Sequence, residues 1–83
     1  MGIFSQTWFD QLSLRTRLDV ALRRGTYLMR RIEDDNVVNL YHMDSFFVEV
    51  YYDPEAGHLH HCRTFTRKEG LEDYAESIEL PEL

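Results

Sequence analysis

The 83-residue chain has one cysteine, two prolines and four glycines, and it has no long apolar run. A single cysteine cannot form an intramolecular disulfide, so the fold needs another source of stability. The sequence also lacks the roughly 18 uninterrupted apolar residues of a membrane span and the charged-then-apolar pattern of an export signal. We therefore expect a cytoplasmic protein without a membrane partner. Phosphate-binding loops, dinucleotide fingerprints and nucleophile elbows are missing from the sequence as well.

The composition, with 43% hydrophobic and 29% charged residues, predicts one small globular domain over residues 1–83. Within it, residues 1–12 are expected to form an apolar arm or a short turn of helix. A chain this short buries only about 60 to 65% of its unfolded surface, so it depends on a well-filled core or on a partner.

The net charge of −6 is unevenly distributed along the chain. Residues 1–31 hold six arginines and two aspartates, whereas residues 32–83 hold three basic and thirteen acidic residues. Opposite charge on the two halves favours contact between unlike ends of two molecules. It also argues against nucleic-acid binding, which usually needs a net basic domain.

An amphipathic helix is predicted over residues 14–24. Ser13 is a favourable N-cap, and Gly25 suits a left-handed residue after the last turn. The apolar stripe of this helix consists of Leu14, Leu18, Ala21 and Leu22.

Four strands are predicted next, from runs of β-branched and aromatic residues separated by turn chemistry. They cover residues 27–32, 37–43, 46–52 and 59–65. Their short connections allow only antiparallel neighbours, so the strands should form a meander. The clearest turn is Asp53-Pro54 with Gly57, because proline presets the φ of a type I turn and glycine accepts a left-handed exit.

A second helix is predicted at the C-terminal end, where Thr66 and Glu69 form a capping-box pattern. Apolar residues follow it at helical spacing, at positions 71, 74, 75 and 78. The predicted fold is therefore α+β: an N-terminal helix, a four-stranded antiparallel meander and a C-terminal helix, with both helices packed on one face of the sheet.

The strand over residues 46–52 carries aromatic side chains for both faces of the sheet. If both helices cover one face, aromatic residues stay exposed on the other, and such patches usually mark an interface unless the N-terminal arm covers them. The interface candidates are Phe47, Tyr51, Tyr41, Met43, Trp8 and Phe9. The leading hypothesis is a non-enzymatic protein-interaction or assembly module, a homodimer that self-associates through the open sheet face or edge and can also bind another protein.

An alternative hypothesis is a small metal- or thiol-dependent enzyme centred on His58, His60 and Cys62. Alternate residues of a strand share one face, and imidazole and thiolate are ligands for zinc. Cysteine beside histidine is also a pairing that a thiolate nucleophile needs, and Glu49 could orient the base. The chain has no paired ligand motif, so neither a metal nor any other cofactor is assigned, and polar residues on a half-exposed strand account for the same pattern.

A further alternative is single-stranded nucleic-acid binding, in which helix arginines contact phosphates and sheet aromatics stack on bases. The charged-contact candidates are Arg17, Arg24, Arg30 and Arg31. Residues 69–83 contain six acidic and no basic residues, so the field of the domain opposes a polyanion. The acidic C-terminal segment, in the same chain or in a second copy, is a more natural partner for these arginines.

Three segments stand out as a set, together with the amphipathic helix that ends before Gly25: LYHM at residues 40–43, FFVEVYY at residues 46–52 and LEDY at residues 71–74. In these segments the chain resembles a family of short bacterial α+β proteins of unknown function. The resemblance implies the helix, meander and helix order and assigns no catalytic residue. Residues 4–9 and 58–62 lie outside the family pattern.

Overall fold

The computed structural model describes residues 5–67, which form two helices followed by four strands. The elements are α1 (Gln6–Asp10), α2 (Leu14–Arg24), β1 (Thr26–Glu33), β2 (Asn36–His42), β3 (Phe47–Asp53) and β4 (His58–Phe65). Each strand pairs antiparallel with the next, in the order β1-β2-β3-β4, which confirms the predicted meander. The predicted C-terminal helix lies, apart from its first two residues, outside the described part of the chain.

Helix α2 has the predicted bounds. The Ser13 side-chain oxygen accepts a hydrogen bond from the Thr16 amide at 3.2 Å and caps the first turn. Its buried side includes Ala21 and the partly buried Arg17, but Leu22 is exposed. The prediction that Leu22 faces the core is therefore wrong, because Leu22 stands at the margin of the stripe and the buried side is centred nearer Arg17.

Gly25 ends α2 in an extended conformation, with φ −78° and ψ 156°, so the prediction of a left-handed residue is also wrong. A glycine is needed here for a different reason, which is close packing. A Cβ atom at this position would lie 2.7 Å from the Ala21 carbonyl oxygen and 3.0 Å from the Tyr41 Cβ atom. The glycine thus lets the end of α2 approach β2.

The sheet is buried on both faces at its centre, in β3. On one face, Val48 and Val50 pack with residues of the helices in a cluster that also includes Phe9, Ala21, Met43, Phe46 and Cys62. On the other face, a second cluster joins Leu40, Phe47 and Phe65. We call these the helix-side face and the opposite face. Their alternation along β3 follows the predicted strand period.

Helix α1 lies against β4, at one edge of the described sheet. Gln6 Nε2 donates to Thr64 Oγ1 at 3.2 Å, and Thr64 Oγ1 donates to Asp10 Oδ1 at 2.7 Å. Phe9 is fully buried and its ring lies 5.4 Å from the Phe46 ring, measured between centroids. The N-terminal segment thus supplies a short helix that fills the core on the helix-side face.

Two of the three turns, together with two bulges, shape the meander. Asp34 and Asp35 form a two-residue turn between β1 and β2, both with positive φ, as a type I′ hairpin requires. Gly57 has φ +75° after Asp53-Pro54, which confirms the predicted left-handed glycine of that turn. The strand register shifts at Leu28 in β1 and at His60 in β4, and each shift marks a β-bulge.

We predict that Gly25→Ala lowers the free energy of unfolding by about 1–3 kcal/mol, because the added methyl group overpacks the contact between α2 and β2. Urea unfolding followed by circular dichroism measures this. Gly57→Ala is the control: its Cβ atom meets nothing within 4 Å, so its cost of about 1 kcal/mol arises from the positive φ alone. A Gly25→Ala protein as stable as the wild type would contradict the packing argument.

Candidate functional site

A buried ion cluster occupies the centre of the opposite face. The Glu49 side chain, in the middle of β3, has 0% exposure. Its Oε2 atom accepts a hydrogen bond from Arg31 Nη2 at 2.9 Å, and its Oε1 atom accepts one from Arg63 Nε at 2.7 Å. Both carboxylate oxygens are therefore engaged by guanidinium groups, which offsets the cost of burying the charge.

The strand register brings these three residues together. Glu49 pairs directly with Arg63 on β4. Arg31 stands two strands away on β1, so its side chain reaches across β2 to the carboxylate. There Arg31 Nη1 also donates to Glu33 Oε1 at 2.6 Å. The arrangement is a chain of alternating charges, Glu33, Arg31, Glu49 and Arg63, which we call the ion cluster.

Tyr51 borders the ion cluster on the same face. Burial raises the pKa of its phenol, and the nearby Glu49 and Glu33 carboxylates raise it further. The His61 ring lies 5.1 Å from the Tyr51 ring between centroids. Since the phenol stays protonated at neutral pH, Tyr51 adds a hydroxyl group and no charge to this region.

The chemistry that the ion cluster can perform is limited by its own hydrogen bonds. A general base needs a carboxylate oxygen that is free to accept a proton from a substrate. Each oxygen of Glu49 already accepts from an arginine, and the side chain is closed to solvent. We therefore assign the ion cluster a structural role. Sequence reasoning missed it, although an acidic residue within the apolar run of residues 46–52 signals a buried partner.

The predicted aromatic patch does not exist as an exposed surface. Phe47 is 1% exposed and Tyr51 is 9% exposed, so the expectation that they lie open to solvent is wrong. Met43 is buried and Tyr41 is partly buried, and both pack in the helix-side cluster, on the other face from Phe47. Because side chains alternate along a strand, Phe47 and Tyr51 lie on one face of the sheet, whereas Tyr41 and Met43 pack on the other. Each face has its own core.

Trp8 and Phe9 are neighbours in α1 with different surroundings. Phe9 fills the helix-side core, so it cannot contribute to an interface without unfolding α1. Trp8 is exposed and its ring lies 6.5 Å from that of Phe9 between centroids. Of the six interface candidates, Trp8 alone has an exposed side chain.

The candidate site of His58, His60 and Cys62 is divided by the bulge at His60. Cys62 pairs with Val50 and is buried in the helix-side cluster. His60 lies on the opposite face, where its Nε2 atom is 3.0 Å from Asn36 Oδ1 and its ring is 6.3 Å from the His58 ring between centroids. The prediction that all three share one face is therefore wrong. Among residues 5–67, no three His, Cys, Asp or Glu side chains converge on a possible metal site.

Cys62 also lacks the environment of a reactive thiol. Burial raises its pKa, an effect that Arg17 opposes and Asp10 reinforces. A thiolate nucleophile needs a lowered pKa and access to its substrate. Glu49, the suggested orienting group, is on the other face of the sheet, so the proposed catalytic pairing is not assembled.

The four candidate arginines do not form one surface. Arg31 is part of the ion cluster, whereas its neighbour Arg30 is exposed on the helix-side face of β1. On α2, Arg24 is exposed and Arg17 is partly buried near Cys62. Because strand alternation sends Arg30 and Arg31 to different faces, a continuous basic track through all four is not present.

The exposed large apolar side chains of the described residues are Trp8, Leu22, Tyr27 and Ile32. Two of them belong to the edge strand β1: Ile32 is 68% exposed and Tyr27 is 52% exposed. They pair with Val37 and Tyr41 of β2, so both project from the helix-side face. Sequence reasoning placed both residues in a strand but did not identify them as exposed, because the position of α2 over the sheet could not be read from the periodicity.

Comparison with protein-family models, with curated proteins and with solved structures found no match to this chain. None of the helices within residues 5–67 is long and apolar enough to cross a membrane.

We predict that Glu49→Gln lowers the free energy of unfolding by about 3 kcal/mol, because it removes the charge that compensates two arginines. Glu33→Gln is the matched control. Glu33 also bonds Arg31 but is partly exposed, so the same substitution there should cost less than about 1 kcal/mol. Urea unfolding at neutral pH compares the two variants. Equal losses would contradict the special position of Glu49.

We also predict that the free energy of unfolding falls as the pH rises above about 8.5, where the Cys62 thiol of the unfolded chain ionises first. Its pKa is raised in the folded state, so its contribution is constant at lower pH and is lost as the pH approaches the folded pKa. Cys62→Ala should reduce the steepness of this fall, which has a limit of about 1.4 kcal/mol per pH unit for one proton. Parallel curves for the two proteins, measured with a reducing agent present, would contradict this assignment.

Proposed function

We propose that this protein is a non-enzymatic protein-interaction module that self-associates through the edge of its sheet at β1. The observation that carries the proposal is the exposure of Ile32 and Tyr27 on one face of an edge strand. Exposed strand edges present backbone amide and carbonyl groups to an added strand, and apolar side chains beside them strengthen such pairing.

The size of the domain supports the proposal. Large apolar side chains on an edge strand are uncommon in small monomers, which usually protect their edges with charge or proline. Here the regular part of β1 contains no proline, and the exposed Ile32 stands among the charged residues Arg30, Arg31 and Glu33. Burial of these side chains against a partner would add to a core that is small by necessity.

The surroundings of the ionisable groups favour interaction over catalysis. The buried Glu49 carboxylate is occupied by two arginines, and the Cys62 thiol is buried with a raised pKa. An enzyme would need at least one such group free in a concave site. The proposal therefore rests on surface recognition by β1.

We predict that Ile32→Lys weakens self-association at least about tenfold, or about 1.4 kcal/mol, because it places a charge at the centre of the apolar contact. Analytical ultracentrifugation over a wide concentration range measures the dissociation constant. Trp8→Lys is the matched control, since Trp8 is another exposed apolar residue but lies on α1, which contacts β4 at the other edge.

Circular dichroism should show that both variants keep the fold. A wild-type protein that stays monomeric throughout the concentration range would overturn the proposal. A dimer that Ile32→Lys leaves intact would overturn the assignment of the surface to β1.

A further inference from the structure

We infer that two copies of the chain pair through β1 in antiparallel orientation, so that the two sheets become one and Ile32 faces the partner's Ile32 on a two-fold axis. The inference rests on the proposed function and adds to it the partner, the direction of pairing and the register. It follows from three features of β1: its turn, its bulge and the order of its charges.

The two-residue turn determines which backbone groups of β1 face outward. Such a turn closes on a hydrogen-bonded pair, here Glu33 and Asn36, and hydrogen-bonded and non-hydrogen-bonded pairs then alternate along the strand. Ile32 and Arg30 therefore direct their amide and carbonyl groups away from β2, towards the open edge. These are the groups that an added strand would bind.

The bulge at Leu28 limits the pairing to the regular part of β1, residues 29–33. Within this segment, the outward-facing backbone groups of one copy must lie opposite those of the other copy across a two-fold axis. Three antiparallel registers meet this condition. The first sets Arg30 opposite the partner's Arg30, and the second sets Arg31 opposite the partner's Arg31. Both place like charges directly across the strands, which is unfavourable.

The third register places Ile32 opposite the partner's Ile32. It buries the most exposed large apolar side chain of the described residues against its own copy. It also sets Arg31 opposite the partner's Glu33, at the last regular position of the strand. Charge and apolar contact therefore favour the same arrangement. The Ile32 contact lies on the two-fold axis and forms once, whereas symmetry repeats the contact of Arg31 with Glu33.

Cysteine cross-linking distinguishes the three registers. In a Cys62→Ala background, single cysteines are introduced as Ile32→Cys and Arg30→Cys, and both positions are exposed. Residues directly opposite at a hydrogen-bonded pair have Cα atoms about 5.5 Å apart, which is within the reach of a disulfide. Oxidation is followed on non-reducing gels for each variant alone and for an equal mixture in which one variant carries a size tag.

The third register predicts that Ile32→Cys forms a covalent dimer at least about tenfold faster than Arg30→Cys. In that register the two copies of residue 30 are separated by roughly 13 Å along the strands, beyond the reach of a disulfide. Faster cross-linking of Arg30→Cys alone would identify the first register, and faster cross-linking of the mixed pair would identify the second. Either result would overturn the inference.

The outcome separates the inference from the proposed function. If ultracentrifugation shows a dimer but neither cysteine variant nor their mixture cross-links, the pairing of β1 with itself is overturned while self-association stands. If the chain is monomeric, both fail. Circular dichroism of the reduced cysteine variants serves as the folding control.

Discussion

The buried Glu49 carboxylate is the constraint on which the arrangement of the sheet depends. A fully buried charge needs compensating partners at hydrogen-bond distance, and here they come from strands on either side of β3. A slip of β3 by one residue would turn this carboxylate into the apolar helix-side cluster and leave two arginines unpaired. The main effect of the ion cluster is therefore to make wrong strand registers unfavourable across the whole meander. Its net contribution to the free energy of unfolding is smaller than that effect.

Alternation along β3 then explains why the protein has two cores. Val48 and Val50 pack with the helices, while Phe47 packs with Phe65 and Leu40 around the ion cluster on the other face. A strand that is apolar on both faces suits a central position in the sheet. The edge strands have a mixed character, with apolar and charged side chains next to each other. On β1 this mixed character appears as exposed Ile32 and Tyr27 next to Arg30.

Local signals in the sequence were sufficient to predict the four strands, the bounds of α2 and the glycine turn after Asp53. These features depend on hydrophobic period, helix capping and turn chemistry, which act over a few residues. The placement of side chains failed where long-range packing decides it. The bulge at His60 places His58 and His60 on the face opposite Cys62, and the close approach of α2 to Tyr41, not a left-handed turn, accounts for the glycine at position 25. Neither effect has a signature in residue spacing. The burial of Glu49 could be suspected from its apolar neighbours, but its arginine partners lie on strands 14 and 18 residues away along the chain.

The bulge at His60 has a consequence for how far a sheet assembly can extend. Growth of an ordered fibre requires a straight, uninterrupted edge onto which copy after copy can be added. In the described part of the chain, β4 forms the edge remote from β1, and the bulge interrupts its hydrogen-bonding pattern between His58 and His61. With charged and imidazole side chains along it, this edge is a poor template. A dimer formed through β1, as proposed above, would therefore offer at its outer edges, within the described residues, no regular strand for further copies to pair with.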